Sequence, residues 1–229
     1  VEPDTSKYVS MSFADKYTRV YYDENAYISK DKNNRKPMTV MGIHTREFGE
    51  VTNLPNGLNP SAYHEILNKL ALTENGVILS RNFESVEGLK AGDKITFYTG
   101  KNKAVTGTIV DFVDFFPGYK PDVTMMGADG NAYTEDNYLI VTHFAYIKKN
   151  LGLQPYEIWI SLKDDATGSD VYDFIDKHNL RITRYVNRAD DMEQTLTDPF
   201  LQGTNGVLTL GFVVTILLCA VGYLIYWIM

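Results

Sequence analysis

VILSRNFESVEGLKAGDKITFYTGKNKAVTGTIVDFVDFFPG, Val77–Gly118, carries the reading of the fold. With Gly76 it opens on GVILS, an apolar run that predicts a short buried strand at Gly76–Ser80. Asn82–Val86 predicts a short helix. In GLKAGDKITF, Gly88–Phe97, Gly92-Asp93 is a tight turn into a strand with Ile95 and Phe97 on one face. After a turn at Gly100–Lys103, a second strand at Ala104–Phe116 pairs back on the first, and Pro117-Gly118 ends it. The segment therefore reads as a β-rich module, with Tyr119–Asp136 as a loop extending from it.

Towards the N-terminus, Val1–Lys36 is polar and rich in Tyr, with a strand at Arg19–Tyr22 and a turn at Lys30–Asn34. Pro37–Ile43 (PMTVMGI) is a strand and Val51–Asn59 a long loop. Asn59-Pro60 predicts a helix start, Asn as N-cap and Pro in the first turn, with Tyr63, Ile66, Leu67 and Leu70 as its buried face. Towards the C-terminus, Tyr138–Thr142 predicts a strand and Phe144–Leu151 a helix. Tyr156–Leu162 alternates, with Tyr156, Ile158, Ile160 and Leu162 opposite Glu157, Trp159 and Ser161. Thr167 and Asp170 have capping-box spacing for a helix that carries Val171, Phe174, Ile175 and His178 on one side and ends at Asn179. A strand over Arg181–Val186 would complete a βαβ unit. Asn187 and Asp190 then cap a final helix running towards the tail.

The tail from Val207 to Met229, VLTLGFVVTILLCAVGYLIYWIM, holds 23 residues without a charge. About 20 apolar residues suffice to cross a bilayer. A soluble core helix of this length would show a polar face, and a C-terminal position excludes a signal peptide. The polar spacer of a lipid-anchor signal is also missing before it. Tyr223, Tyr226 and Trp227 gather at the far end, where aromatic rings favour the headgroup layer. Gly211, Thr215, Cys219 and Gly222 fall on one side as a stripe of small residues suited to close helix packing in lipid. Pro199, Gly203 and Gly206 are hinge candidates before the bilayer, within or just after a stalk helix over residues 188–202. The abrupt start and end predict a piece of a longer chain with membrane segments on at least one side.

All charge lies at or before Asp198, and the net charge is -7. An acidic balance argues against nucleic acid, since phosphate binding needs a basic face. The short basic stretches Lys30–Lys36 and Lys148-Lys149 do not make one. Cys219 is the only cysteine, which excludes a disulfide framework or a Cys-ligated zinc site in the polar region. The four histidines, His44, His64, His143 and His178, match no metal-ligand spacing, and His178 reads as packed and hydrogen-bonded. The pairs Asp23-Glu24, Asp164-Asp165 and Asp190-Asp191 are adjacent in sequence and fit solvated turns or helix starts. Asp111 and Asp114 fit the charges that edge strands often carry. GxxxxGK[ST], GxSxG and GxGxxG are all absent. The chain therefore reads as a non-enzyme with no catalytic residue, cofactor or metal site.

Val77–Gly118 resembles the extracytoplasmic domain of FtsX-like, MacB-like ABC transporter permeases, in which a short helix leads to a GLKxGD turn, a hairpin and a strand ending near FPG. DPFLQGTNGVLTLGFVVTILLCAVGYLIYW, Asp198–Trp227, resembles the entry to the membrane helix after such a domain. The order and spacing of the two segments fit, and together they cover roughly a third of the chain. The resemblance implies an α+β ectodomain over residues 1–203, with a βαβ-containing core near 156–186 and an inserted β-rich subdomain near 76–136, then one transmembrane helix over 204–229. It implies a first membrane helix before the domain and three more from the tail onward. The implied partners are a separate ABC ATPase subunit, a second permease copy or subunit packed through the transmembrane helices, and the membrane itself. The implied location is the cell membrane, with residues 1–203 on the extracytoplasmic side. The implied role couples ATP hydrolysis to movement of the ectodomain, for export or mechanotransmission. A single-pass surface receptor or adhesion module with a C-terminal anchor is the alternative.

Overall fold

Three short runs, MTVMGI, GVILS and YLIVTH, are so apolar that strands made from them need cover on both faces. The computed structural model, which describes residues 11–28, 36–127, 130–180, 182–188 and 199–228, gives them that cover. In chain order the elements are β1 (Ala14–Asp23), β2 (Met38–Ile43), α1 (Thr45–Val51), α2 (Tyr63–Ala71), β3 (Gly76–Ser80) and α3 (Asn82–Ser85). They continue with β4 (Lys94–Tyr98), β5 (Ala104–Val113), β6 (Asp122–Met126), β7 (Ala132–Asp136), β8 (Tyr138–His143) and α4 (Phe144–Leu151). The last are β9 (Glu157–Leu162), α5 (Gly168–Lys177) and α6 (Pro199–Ile228). The fold is mixed α and β around one large sheet.

Seven strands form that sheet in the order β4-β5-β3-β8-β2-β1-β9. The pairs β3/β5 and β2/β8 are parallel and the others antiparallel. β2, β3 and β8 occupy the middle, and nearly all their residues are buried. Alternate side chains go to opposite faces, as the pleat requires. Val40, Val77, Leu79 and Ile140 pack with Phe83 of α3 and Phe144, Ile147 and Leu151 of α4. Met41, Ile78, Leu139 and Val141 pack with Phe48 of α1 and Tyr63, Ile66, Leu67 and Leu70 of α2. The helices thus lie in two layers around the sheet. Each large apolar side chain taken from water there contributes about 1.5–3 kcal/mol.

The structure corrects several local expectations. Within the β-rich stretch near 76–136, β3, β4 and β5 pair into the main sheet. Only β6 and β7 stand in a separate two-stranded sheet, and they occupy what reads as a loop at Tyr119–Asp136. A helix, α1, precedes the Val51–Asn59 loop. α2 begins at Tyr63 rather than at Asn59-Pro60. The Asn59 side chain is engaged elsewhere: its Oδ1 accepts from the backbone N–H groups of Asp114 (2.7 Å) and Phe115 (3.0 Å), and its Nδ2 donates to the Phe115 carbonyl (2.8 Å). These distant bonds outcompete local capping.

The chain divides into two units, Val1–Thr167 and Gly168–Met229. In the second, α5 ends as its Asn predicts: Asn179 adopts φ 47°, and the Leu180 N–H reaches back to the Ile175 carbonyl at 3.0 Å. Beyond it the expected strand over Arg181–Val186 is not formed, since residues 182–187 lie outside any strand. The βαβ unit expected near 156–186 is therefore not completed there. Instead Tyr185 turns back to set its ring 4.6 Å from that of Tyr172. The expected turn at Lys30–Asn34, and most of the stalk helix over 188–202, lie outside the described residues.

Candidate functional site

The GLKAGD segment is a piece of backbone engineering. Leu89 packs on the core, and its N–H donates to the Phe83 carbonyl at 3.2 Å. Gly92 adopts φ 96°, a conformation that side chains disfavour, and its N–H reaches the Ile109 carbonyl at 2.8 Å. Asp93 closes the turn by accepting from the Lys90 N–H at 2.8 Å, while its own carbonyl accepts from Ile109 N–H at 2.9 Å. These bonds close the turn and tie it to α3 and to β5.

The FPG segment does the same at the other end of β5. Phe116 is buried with its ring stacked 5.6 Å from that of Phe48. Gly118 has φ 78°, and Tyr22 donates to its carbonyl at 3.2 Å. A Cβ on Gly118 would lie 2.4 Å from Cη2 of Trp159. The indole of β9 thus rests on bare backbone, held by the Phe48 ring at 5.4 Å and by its own N–H donating to Glu157 at 2.9 Å.

Between these motifs lies a polar cleft of about 190 Å³, lined by Arg81, Asn82, Asp114, Tyr119, Asp122 and Asp136. Two of its lining residues, Asn82 and Tyr119, bond to Asn137, which is buried just before β8. The Asn137 amide donates to the Lys120 carbonyl at 2.9 Å and to Thr39 Oγ1 at 3.3 Å. Its carbonyl accepts from Asn82 Nδ2 at 2.8 Å and from Tyr119 Oη at 2.7 Å. Burial raises the pKa of the Tyr119 phenol, so Tyr119 stays a donor at neutral pH. On the rim Arg81 forks onto Asp114 at 3.1 and 3.4 Å and reaches Glu84 at 2.7 Å. These bonds to carboxylates, Asp114 first, raise the guanidinium's pKa. The network fixes the root of the β6–β7 ribbon to the main sheet. Asn82, Tyr119 and Asn137 escape a reading of the sequence because they meet only once β8 and β3 have paired.

The other polar candidates serve the fold. Asp111 is not on an edge strand: a register shift opposite Val77/Ile78 turns it towards Lys69, whose Nζ it meets at 2.7 Å. His143 Nε2 donates to the carbonyls of Leu70 and Thr73, at 2.8 and 3.1 Å. His178 is exposed, with its ring 4.1 Å from that of Phe174, and Nδ1 donates to the Phe174 carbonyl at 2.9 Å. His44 sits against Phe144, ring centres 4.8 Å apart, with its Nε2 buried and no hydrogen-bond partner for it among the described residues. Burial lowers the His44 pKa, aided by Arg19, His143 and Lys148, against the pull of Glu47. Among the described residues no three His, Cys, Asp or Glu side chains come together as metal ligands.

α6 is the remaining candidate. Gly206–Ile228 is long and apolar enough to cross a membrane, and its side chains are exposed. At 1.5 Å per residue these 23 residues span about 34 Å, against a hydrocarbon core of about 30 Å. Gly211, Thr215, Cys219 and Gly222 share one side, and the space beside both glycines is open. The Thr215 hydroxyl donates to the Gly211 carbonyl at 2.8 Å, so it needs no partner from another helix. Pro199 is the first residue of α6, and the helix continues without a break through Gly203 and Gly206.

Comparison with solved structures finds 11 similar chains, among them these two. One is the extracellular domain of the noncanonic ABC-type transporter YknZ from Gram-positive bacteria, at 10% identity and TM-score 0.40 over 75% of this chain and 80% of that one. The other is the periplasmic region of MacB from Actinobacillus actinomycetemcomitans, at 12% identity and TM-score 0.44 over 85% of this chain and 81% of that one. Both are extracytoplasmic domains. No protein-family model matches the sequence, and no curated protein matches it.

Proposed function

We propose that this chain is part of the membrane-spanning permease subunit of an ABC transporter, with residues 1–203 outside the cytoplasm and α6 crossing the bilayer. The observation that carries the reading is α6: an uncharged helix of 23 residues, exposed along its length, follows a mixed α/β domain in which GLKAGD and FPG each occupy a demanding turn. In this reading ATP hydrolysis belongs to a separate subunit, because the chain has no phosphate-binding loop of the GxxxxGK[ST] type. The energy of hydrolysis then reaches the ectodomain as movement of α6. The stripe Gly211, Thr215, Cys219 and Gly222 packs against another transmembrane helix, of this subunit or a second one.

The test is reconstitution. The full chain in lipid nanodiscs hydrolyses no ATP by itself. Purified under mild detergent from the cells that make it, it carries an ATPase subunit, and the complex turns ATP over. Turnover by the lone chain, or recovery of the chain with no ATPase bound, overturns the proposal.

A further inference from the structure

The β6–β7 ribbon stands apart from every function assigned so far. An isolated two-stranded ribbon is marginal in water, because it has one ladder and no second layer. This one is exposed almost throughout: only Val123 and Glu135 are half-buried, and both outer edges are unpaired among the described residues. It nonetheless carries apolar side chains on both faces. Met125 lies opposite Tyr133 on one face and Met126 opposite Ala132 on the other. Met126 is 73% exposed and Tyr133 49%. At its root the cleft network holds the ribbon to the sheet, so its direction is set while its surface is bare.

Charge selects among the possible covers. Pro121–Asn137 contains Asp122, Asp129, Glu135 and Asp136 and no Lys, Arg or His. Segments that lie on anionic bilayers use Lys and Arg, so this composition disfavours a lipid surface. Two copies meeting through the ribbon would set like charges together, which costs binding energy. What remains complementary is a surface of opposite charge with an apolar slot. Methionine and tyrosine suit such a contact, Met by adapting its shape and Tyr by burying a rigid amphipathic ring.

We infer that the β6–β7 ribbon is a docking element for a separate protein, whose apolar slot encloses both faces of the ribbon, Met125 and Tyr133 on one and Met126 on the other, and whose Lys/Arg rim pairs with Asp122, Glu135 and Asp136. This inference stands independently of the permease reading. The test places a photo-crosslinking amino acid at Tyr133 of the full chain in the membranes of the cells that make it, with Leu72, another exposed residue, as control. The expected product is one adduct whose added mass differs from that of a second copy and whose cross-linked peptide is flanked by Lys or Arg. Its yield falls at least about threefold when salt rises from about 0.05 to about 0.5 M. It also falls at least about threefold in the charge-reversed variant Asp122→Lys/Glu135→Lys/Asp136→Lys, and in Met126→Ser, which keeps every charge. An adduct at twice the chain mass, lipid adducts alone, no adduct, or an adduct indifferent to salt and to both variants overturns the inference.

Discussion

Replacing Gly118 by Ala tests how the FPG turn and β9 are joined. Two costs combine. An L-residue held at φ 78° pays about 1–2 kcal/mol for its left-handed backbone. The new methyl would also stand 2.4 Å from Cη2 and 3.1 Å from Cζ2 of Trp159, so the indole must move. Its retreat is opposed by Phe48 and by the bond to Glu157, and overpacking of this kind costs about 1–3 kcal/mol. The sum is about 2–5 kcal/mol. With a urea slope of about 2 kcal/mol/M, the midpoint falls by about 1–2.5 M. Circular dichroism reads the midpoints, so one probe serves the variants with and without Trp159. A double-mutant cycle with Trp159→Leu separates the two costs, because the shorter side chain removes the clash and leaves the backbone strain. A coupling of about 1–3 kcal/mol is expected. Additive effects within about 0.5 kcal/mol would refute the packing argument, and an Ala variant as stable as the parent would refute both terms.

Two further outcomes follow from the polar groups. His44 has a folded pKa below its ordinary 6.5, so the unfolded chain binds the proton first; stability is full above that value and declines as pH falls from about 6.5 towards the lower folded pKa. Urea midpoints across that range should fall less steeply in His44→Phe, and an unchanged slope would remove His44 from the account. Asn137→Ala leaves the Lys120 carbonyl and Thr39 without their donor and should cost about 2–3 kcal/mol. Limited proteolysis should then cut within β6–β7 faster than in the parent, and unaltered cleavage would show that the network does not hold the ribbon.

Strands buried on both faces were legible because their composition leaves no polar side to solvate. β2, β3 and β8 could be read from MTVMGI, GVILS and YLIVTH, and the β4–β5 hairpin from its two turns. What escaped depends on partners distant in sequence. β3 reads as part of a local module, yet its neighbours are β5 and β8, the latter some sixty residues on. Asn59 carries a strong local capping signal, but its side chain is consumed by Asp114 and Phe115. RITRYV reads as a strand, yet residues 182–187 lie outside any strand. α1 is a short helix with Phe48 as its one buried side chain, too little pattern to register. At the site, Gly211, Thr215, Cys219 and Gly222 follow from helical spacing alone, whereas Asn82, Tyr119 and Asn137 converge only through the sheet.

The motifs that suggest a family prove to be demands of backbone geometry. Gly92 and Gly118 sit at positive φ, Asp93 closes a turn, and Leu89 and Phe116 pack with the core. Such motifs report which strand meets which turn, so they constrain the fold more tightly than they constrain chemistry. Function must be sought where the fold leaves surface uncommitted. Two places meet that description: the uncharged face of α6 around its small residues, and the acidic, methionine-bearing ribbon of β6–β7. Their surroundings differ in kind. α6 lacks any charge and suits hydrocarbon, whereas the ribbon carries carboxylates that hydrocarbon would reject. A single partner surface could not satisfy both. The two proposals therefore assign the elements separate environments, a bilayer for one and an aqueous protein partner for the other, and variants in one should leave binding at the other intact.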